Sequence, residues 1–317
     1  MSEPTPTHRK ALVFCVNERD LSLALFASHR AATVSENRDF DILICSLDPL
    51  EIPEELSALN IRNLTLNLQE TLENAEFTTS WLALVAYLRL WVPDYFRGTY
   101  DRILYTDADT WVATPDLTRL FDLDLGCHAV AGVMDRSQLG TPDQPVLDFQ
   151  ECQINCTKYL NSGVLLMDTA QWHKAGILDR ALAAKHLHPS YTYHDQSLLN
   201  LALQGDFAEL SPIWNWQWPH SHPRFTRTIT PGILHFTGHP KPWIARKKKT
   251  TYDAHIIEAY HQFFQEFDLP QRFPTSSPQG HRNGLVNRAA FEARQLLDRP
   301  RLRQMMARYP DPWKAKV

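Results

Sequence analysis

The chain has 317 residues, of which 44% are hydrophobic and 21% charged, with a formal net charge of −4. That composition excludes a disordered chain and suits one core of ~250 residues with an appendage, while the charge balance excludes a generic nucleic-acid binder. The first ten residues lack the apolar segment of a signal peptide and no run approaches the ~18 apolar residues of a membrane span, so a soluble, cytoplasmic protein is expected. Five cysteines (Cys15, Cys45, Cys127, Cys152, Cys156) make an odd set, expected as free thiols. Cys152 and Cys156 have a zinc-like spacing but no second pair to complete a site.

Residues 11–16 form a continuous apolar run that predicts a strand buried on both faces, followed by a helical pattern over 21–32. This βα opening carries no Gly-rich turn, which disfavours a dinucleotide site. Further strands are expected at 39–47 and 61–66, with a short helix over 53–59 between them. The alternation predicts an α/β protein with a largely parallel sheet. Residues 78–91 follow a helical rhythm that Pro93 is expected to stop, and Arg89 lies in it among apolar neighbours. Arg89 reads either as a snorkelling surface arginine or as a cation serving carboxylates or a phosphate.

The next apolar run, Ile103-Leu104-Tyr105, ends in Asp107-Ala108-Asp109. Carboxyl ends of strands in open α/β sheets are where ligands bind. A spacing of two puts both carboxylates on one face of an extended backbone, where they can converge on a hard divalent cation. A solvated loop with an Asx turn would show the same residues. A helical turn at 115–121 and a strand at 128–133 follow. Residues 134–158 lack periodicity and are expected to form a long substrate-side loop. Residues 160–163, Leu-Asn-Ser-Gly, read as a polar turn feeding a buried strand, with Gly163 allowing either close approach of a ligand or a tight turn. A helix over 178–184 follows. Asp195 and Gln196 fall in the first turn of the next helix, where a carboxylate also serves as helix electrostatics. Trp214, Trp216 and Trp218 suit either stacking on sugar or core. A late strand at 230–236 delivers His235, a residue able to complete an oxygen-ligated metal site. Gly238 and Lys241 follow and can meet phosphate.

Taken together, the segments around Arg89, Asp107–Asp109, Asn161–Gly163, Asp195-Gln196 with Asn200, and His235–Gly238 with Lys241-Pro242-Trp243 resemble glycosyltransferase family 8. These are retaining enzymes dependent on nucleotide sugars. The resemblance covers residues 11–244 and implies a GT-A-type, Rossmann-like fold. It implies that Asp107, Asp109 and His235 hold Mn²⁺ (or Mg²⁺) bridging the diphosphate of a UDP-sugar. By the same resemblance, Lys241 and the Gly238 backbone bind that diphosphate, and Arg89 lies beside Asp107 and the donor sugar. Ala108 and Gly163 line the donor site, Asn161, Asp195 and Gln196 contact the donor sugar, and Asn17 touches the base. Asp195 and Gln196 are the implied catalytic residues. Gln196 matches the position under the anomeric carbon, but an amide is a poor nucleophile, which favours front-face attack. Where the family often has an aromatic to stack on uracil, this chain has Arg19 and Asp20.

The expected organisation is a catalytic domain over 1–250 and a helical extension over 251–317. The boundary region carries Arg246-Lys247-Lys248-Lys249, an aromatic-rich helix is expected over 252–267, and a linker over 270–279. From His281 onward nine Lys or Arg face three Asp or Glu, while Leu285, Val286, Ala289, Ala293, Leu296 and Leu297 mark one helical face. That tail either packs on the catalytic domain or attaches peripherally to the inner face of an anionic membrane. The expected activity is Mn²⁺-dependent transfer of galactose or glucose from UDP to a glycan or glycolipid hydroxyl, as in lipopolysaccharide synthesis. Alternatives are a protein or polyol acceptor, a non-catalytic nucleotide- or glycan-binding module, and a metal-dependent phosphohydrolase or nucleotidyltransferase.

Overall fold

The computed structural model describes residues 6–35, 37–75, 84–187, 194–219, 221–239, 241–244, 252–269 and 285–317. The lysine run at 246–249, the expected linker at 270–279 and the first residues of the helix expected from Thr78 lie outside these. Its strands are β1 (Lys10–Cys15), β2 (Asp41–Ser46), β3 (Ile61–Thr65), β4 (Arg102–Thr106), β5 (Thr110–Val112), β6 (Val130–Met134), β7 (Leu160–Asp168), β8 (Ala208–Glu209) and β9 (Ile233–His235). Seven of them form one sheet in the order β3-β2-β1-β4-β7-β6-β8, and β5 pairs with β9 in a second. Within the large sheet every neighbouring pair is parallel except the two made by β7, which runs against both β4 and β6. The mostly parallel α/β reading therefore holds. β2 is buried throughout and β1 nearly so, as expected of strands covered by helices on both faces.

The reversal of β7 corrects one expectation. Asn161, Ser162 and Gly163 form no turn; they are the buried opening residues of β7. Because β7 is antiparallel to β4, its beginning lies beside the carboxyl end of β4, with Val164 opposite Thr106 and the Asp107 N–H donating to the Gly163 carbonyl at 2.8 Å. Polar residues that read as a loop are thus held in a ladder at the sheet edge where ligands bind.

Two helices also differ from expectation. Helix α1 (Leu21–Val34) is as predicted, but α2 (Leu88–Tyr95) continues through Pro93 after a 3₁₀ turn at Val85–Tyr87. A proline so near the end of a short helix forfeits one hydrogen bond, to the Arg89 carbonyl, which suffices to tolerate it. The aperiodic stretch 134–158 contains α3 (Arg136–Gly140), capped by the Asp135 side chain, and α4 (Leu147–Glu151). Helices α5 (Ile177–Leu187) and α6 (Asp195–Leu203) follow β7. Trp214, Trp216 and Trp218 are all buried, so the core reading of that cluster holds.

The C-terminal extension is fastened to the sheet at several points. Helix α7 (Ala254–Glu266) stacks Tyr260 on Phe26 of α1 with ring centroids 3.9 Å apart, and Phe263 meets the same ring edge-on. Helices α8 (Leu285–Leu297) and α9 (Arg299–Ala307) follow, and beyond them Lys316 exchanges two backbone hydrogen bonds of 2.9 Å with Glu209 of β8. Of the apolar face expected on α8, Ala289, Ala293, Leu296 and Leu297 are exposed. The helix is instead attached by polar groups: Gln295 donates to the Ser221 carbonyl, Glu292 pairs with Arg224, and Asp298 beyond its end pairs with His222. Among the described residues no helix is long and apolar enough to cross a membrane.

The Tyr260 hydroxyl is buried without a hydrogen-bond partner among the described residues, whereas its ring fills the space between α1 and Trp243. Tyr260→Phe should therefore leave stability unchanged or raise it by about 1 kcal/mol, while Tyr260→Ala should cost about 3–5 kcal/mol in urea unfolding. Equal losses for the two variants would contradict this packing.

Candidate functional site

Four backbone segments converge at the carboxyl end of β4. Chain direction delivers Asp107 from β4 itself, antiparallel pairing delivers β7, α6 begins beside it, and β9 crosses β5 so that His235 faces Thr110. Arg89 ties three of these together. Arg89 is only 5% exposed, and its guanidinium pairs with Asp107 at 2.9 Å and Asp195 at 3.0 Å. It also donates to the Ser162 carbonyl and hydroxyl at 2.8 and 3.0 Å. The snorkelling alternative fails because the charge is buried, not only the stem. Burial opposes that charge, yet Asp107 and Asp195 outweigh it and raise the guanidinium above its ordinary value. Burial raises the Asp195 carboxyl, opposed by Arg89 and the hydroxyl of Ser162.

Asp107, Asp109 and His235 present one ligand atom each within 4.8 Å of one another. His235 Nε2 stands 3.2 Å from Asp109 Oδ1 and 3.7 Å from Asp107 Oδ2. Each carboxylate also accepts from a neighbouring side chain. Tyr105 donates its hydroxyl to Asp107 Oδ1 at 2.8 Å, and Lys241 its ammonium to Asp109 Oδ2 at 2.6 Å. Burial would lift the Asp109 carboxyl, but His235 and Lys241 hold it well below the usual carboxylate range.

A chain of amides fixes His235 from behind. Its Nδ1 lies 2.9 Å from Asn215 Oδ1, Asn215 Nδ2 donates to Asn161 Oδ1 at 2.8 Å, and Asn161 Nδ2 donates to Gln196 Oε1 at 3.1 Å. Each amide nitrogen in this chain is a donor, so Asn215 Oδ1 faces the ring as an acceptor and Nδ1 carries the proton. That leaves Nε2 as the ring atom that faces the two carboxylates. One ring nitrogen oriented by a hydrogen bond, with the other converging on two carboxylates, is an arrangement that suits a divalent cation. Among the described residues no other cluster of histidine, cysteine or acidic side chains is so placed, and all five cysteines are free thiols.

Gly163 is required by packing. A Cβ there would lie 2.1 Å from His235 Cε1 and 2.7 Å from Asp107 Oδ2, so the glycine makes room for the imidazole over β7. Gly238 differs, since a Cβ there would meet nothing within 4 Å. It lines a small cleft with His235, Phe236 and Thr237. Asn161, Asp195 and Gln196 are all buried in the cluster, and Ala108 sits between the two aspartates. Asn17 lies apart from it, in the turn after β1, where its Oδ1 accepts from the Arg19 and Asp20 N–H groups at 3.0 and 3.3 Å. Asp20 in that turn feels the charges of Asp109 and Lys241, which places the turn at the edge of the site.

Two residues join the site without having been singled out in the sequence. Asp135, just past β6, reaches Asn161 and Gln196 at 3.4 Å each. It follows a buried strand as Asp107 does, so the same rule would have found it. Asn215 is fully buried between two tryptophans, and nothing local marks it as the support of a distant histidine.

A protein-family model described as glycosyl transferase family 8 matches residues 12–247. Among curated relatives, the chain is 30% identical over 195 residues to general stress protein A of Bacillus subtilis, covering 56% of this chain and 65% of that protein. It is 28% identical over 167 residues to the lipopolysaccharide 1,2-glucosyltransferase of Escherichia coli, covering 50% and 48% of the two chains. The match thus spans less than two thirds of either relative's length. Among solved structures, the galactosyltransferase LgtC, determined with donor and acceptor sugar analogues, aligns with a TM-score of 0.63 at 19% identity over 85% of this chain and 98% of that one. GlyE of Streptococcus pneumoniae aligns with a TM-score of 0.54 at 22% identity, covering 81% and 60%. At these identities the likeness is one of fold.

The contact at Gly163 yields a test independent of activity. Gly163→Ala should destabilise the chain by about 1–3 kcal/mol in urea unfolding, because neither the strand nor His235 can move freely. A stability equal to that of the parent would show that His235 does not sit over β7.

Proposed function

This chain belongs to glycosyl transferase family 8, and on that premise we propose that it transfers galactose or glucose from a UDP-sugar to a hydroxyl of a glycan or glycolipid, with retention of anomeric configuration. The observation that carries this reading is the convergence of Asp107, Asp109 and a His235 held by Asn215 at the carboxyl end of β4. The names of the relatives that act on lipopolysaccharide support a glycolipid acceptor.

In this proposal Asp107, Asp109 and His235 would hold Mn²⁺ (or Mg²⁺), which when bound supplies neutralisation of the charge developing on the departing diphosphate. The remaining work falls to the chain's own residues. Lys241 pairs with Asp109 from a position next to the cleft lined by Gly238, where its ammonium can also meet a phosphate oxygen. Arg89 is fully committed to Asp107, Asp195 and Ser162, so its part is to hold both carboxylates in place.

The hydrogen bonds around Gln196 bear on how the sugar bond is made. Its Oε1 already accepts from the Ser162 N–H and from Asn161, both at 3.1 Å, and its Nε2 points at Asp135. An amide oxygen with both lone pairs occupied is a worse nucleophile still than a free amide. Asp195 is likewise engaged by Arg89 and by Ser162 at 3.2 Å. Both residues therefore orient the donor sugar. The acceptor hydroxyl attacks from the face the leaving group vacates and gives its proton to a departing phosphate oxygen.

Two variants test the assignment. Asp109→Ala should abolish Mn²⁺-dependent binding of UDP-sugars in calorimetry while the far-ultraviolet circular dichroism stays that of the parent; undiminished binding would remove the proposed ligand set. Asn215→Ala removes the support behind His235 together with the hydrogen bond to Asn161, and should weaken Mn²⁺-dependent UDP binding about 10–100-fold. No change there would mean that the amide chain does not orient the histidine.

A further inference from the structure

The site's cations are unequally employed. Arg89 is spent on two carboxylates and Lys241 on a third. Arg136, the first residue of α3, is different. It lines the same cleft as His235, Thr237 and Gly238, lies over the Trp218 ring at 5.6 Å, and donates to Ser221 Oγ at 3.2 Å. Among the described residues no carboxylate pairs with its guanidinium. The neighbouring Asp135 is turned elsewhere, toward the Ser137 N–H and hydroxyl at 3.1 and 2.9 Å and toward Asn161 and Gln196.

The strongest charge acting on Arg136 from another element is a second cation, Arg294 of α8, itself paired with Asp298 at 3.2 Å. Burial first, and Arg294 second, pull the Arg136 guanidinium below its ordinary value, opposed by Asp135. A half-buried cation that no carboxylate pairs with among the described residues, and that feels the charge of another cation, is unfavourable in the free protein. Such a group is relieved when a ligand brings negative charge, and a guanidinium presents the planar fork that receives an oxyanion with two parallel hydrogen bonds.

From this geometry we infer that Arg136 binds a negatively charged group, a phosphate or a carboxylate, on the acceptor glycan. The inference rests on the transferase reading and names the acceptor's class as anionic. The donor's diphosphate already has its partners in that reading, at Asp107, Asp109, His235 and Lys241. Arg136 belongs to the segment leaving β6, where Asp135 touches Gln196 and Asn161, and its hydrogen bond goes to Ser221.

The test measures binding, so it does not depend on turnover. The full chain, saturated with UDP and Mn²⁺, is titrated with glucose 6-phosphate, glucuronate and glucose. Either anionic sugar should bind about tenfold or more tighter than glucose, the difference a charged hydrogen bond contributes. Arg136→Gln should erase that preference and leave UDP affinity unchanged, while Arg136→Lys should keep part of it. Equal binding of all three sugars by the parent chain, or a preference surviving in Arg136→Gln, overturns the inference. A loss of UDP affinity in Arg136→Gln also overturns it, by assigning the arginine to the donor. Failure of UDP to bind at all would count against the transferase reading instead, and glucose 6-phosphate titrated into the UDP-free chain would still decide the role of Arg136.

Discussion

The buried guanidinium of Arg89 is the interaction on which the site's architecture depends. It joins α2, the end of β4, the start of β7 and the start of α6 through a single charged group. Removing one partner of such a buried arrangement leaves an uncompensated charge, at a typical cost of about 3–5 kcal/mol. The arrangement therefore resists relaxation. Asp107 is held by Arg89 and Tyr105 through one oxygen, which leaves the other directed at His235. Asp109 is divided in the same way between Lys241 and His235. Each aspartate thus keeps one oxygen for the common point, as the proposed ligand set requires.

The reversed strand β7 is the second constraint. In a fully parallel sheet the residues flanking β4 at its carboxyl end would be other strand ends and their loops. Running β7 backwards places a strand beginning there, so Asn161, Ser162 and Gly163 are held by ladder hydrogen bonds rather than by a loop. Asn161 and Ser162 then reach α6, and the missing side chain of Gly163 leaves space for the imidazole. Rigid elements on four sides hold the polar groups more narrowly than loops would, as a pre-organised site requires.

Much of this was legible in the sequence. Continuous apolar runs at 11–16 and 103–105 marked buried strands, and the abrupt change from Tyr105 to Asp107 marked the end of β4 where the carboxylates meet His235. What could not be read was register and chain direction. Residues 160–163 have the composition of a turn, and only pairing with β4 turns them into a strand. Pro93 read as a stop because the rule concerns helix interiors, whereas α2 ends two residues later. Asn215 was hidden because a buried asparagine between tryptophans has no periodic signature. Arg136 was hidden because it lies in a stretch whose short helices bury few apolar residues. Ala289, Ala293, Leu296 and Leu297 of the face marked on α8 by its apolar periodicity are exposed, and that helix is held by Gln295, Glu292 and Asp298.

The most direct measurement is UDP release from a panel of UDP-sugars, assayed with Mn²⁺ and with EDTA, first without an acceptor and then with glycan acceptors. One hexose should give UDP in the presence of Mn²⁺ and none with EDTA, because Asp107, Asp109 and His235 can stabilise the departing diphosphate only as ligands of a shared cation. Release that survives EDTA, the appearance of UMP in place of UDP, or silence from every donor even with acceptors present would contradict the account.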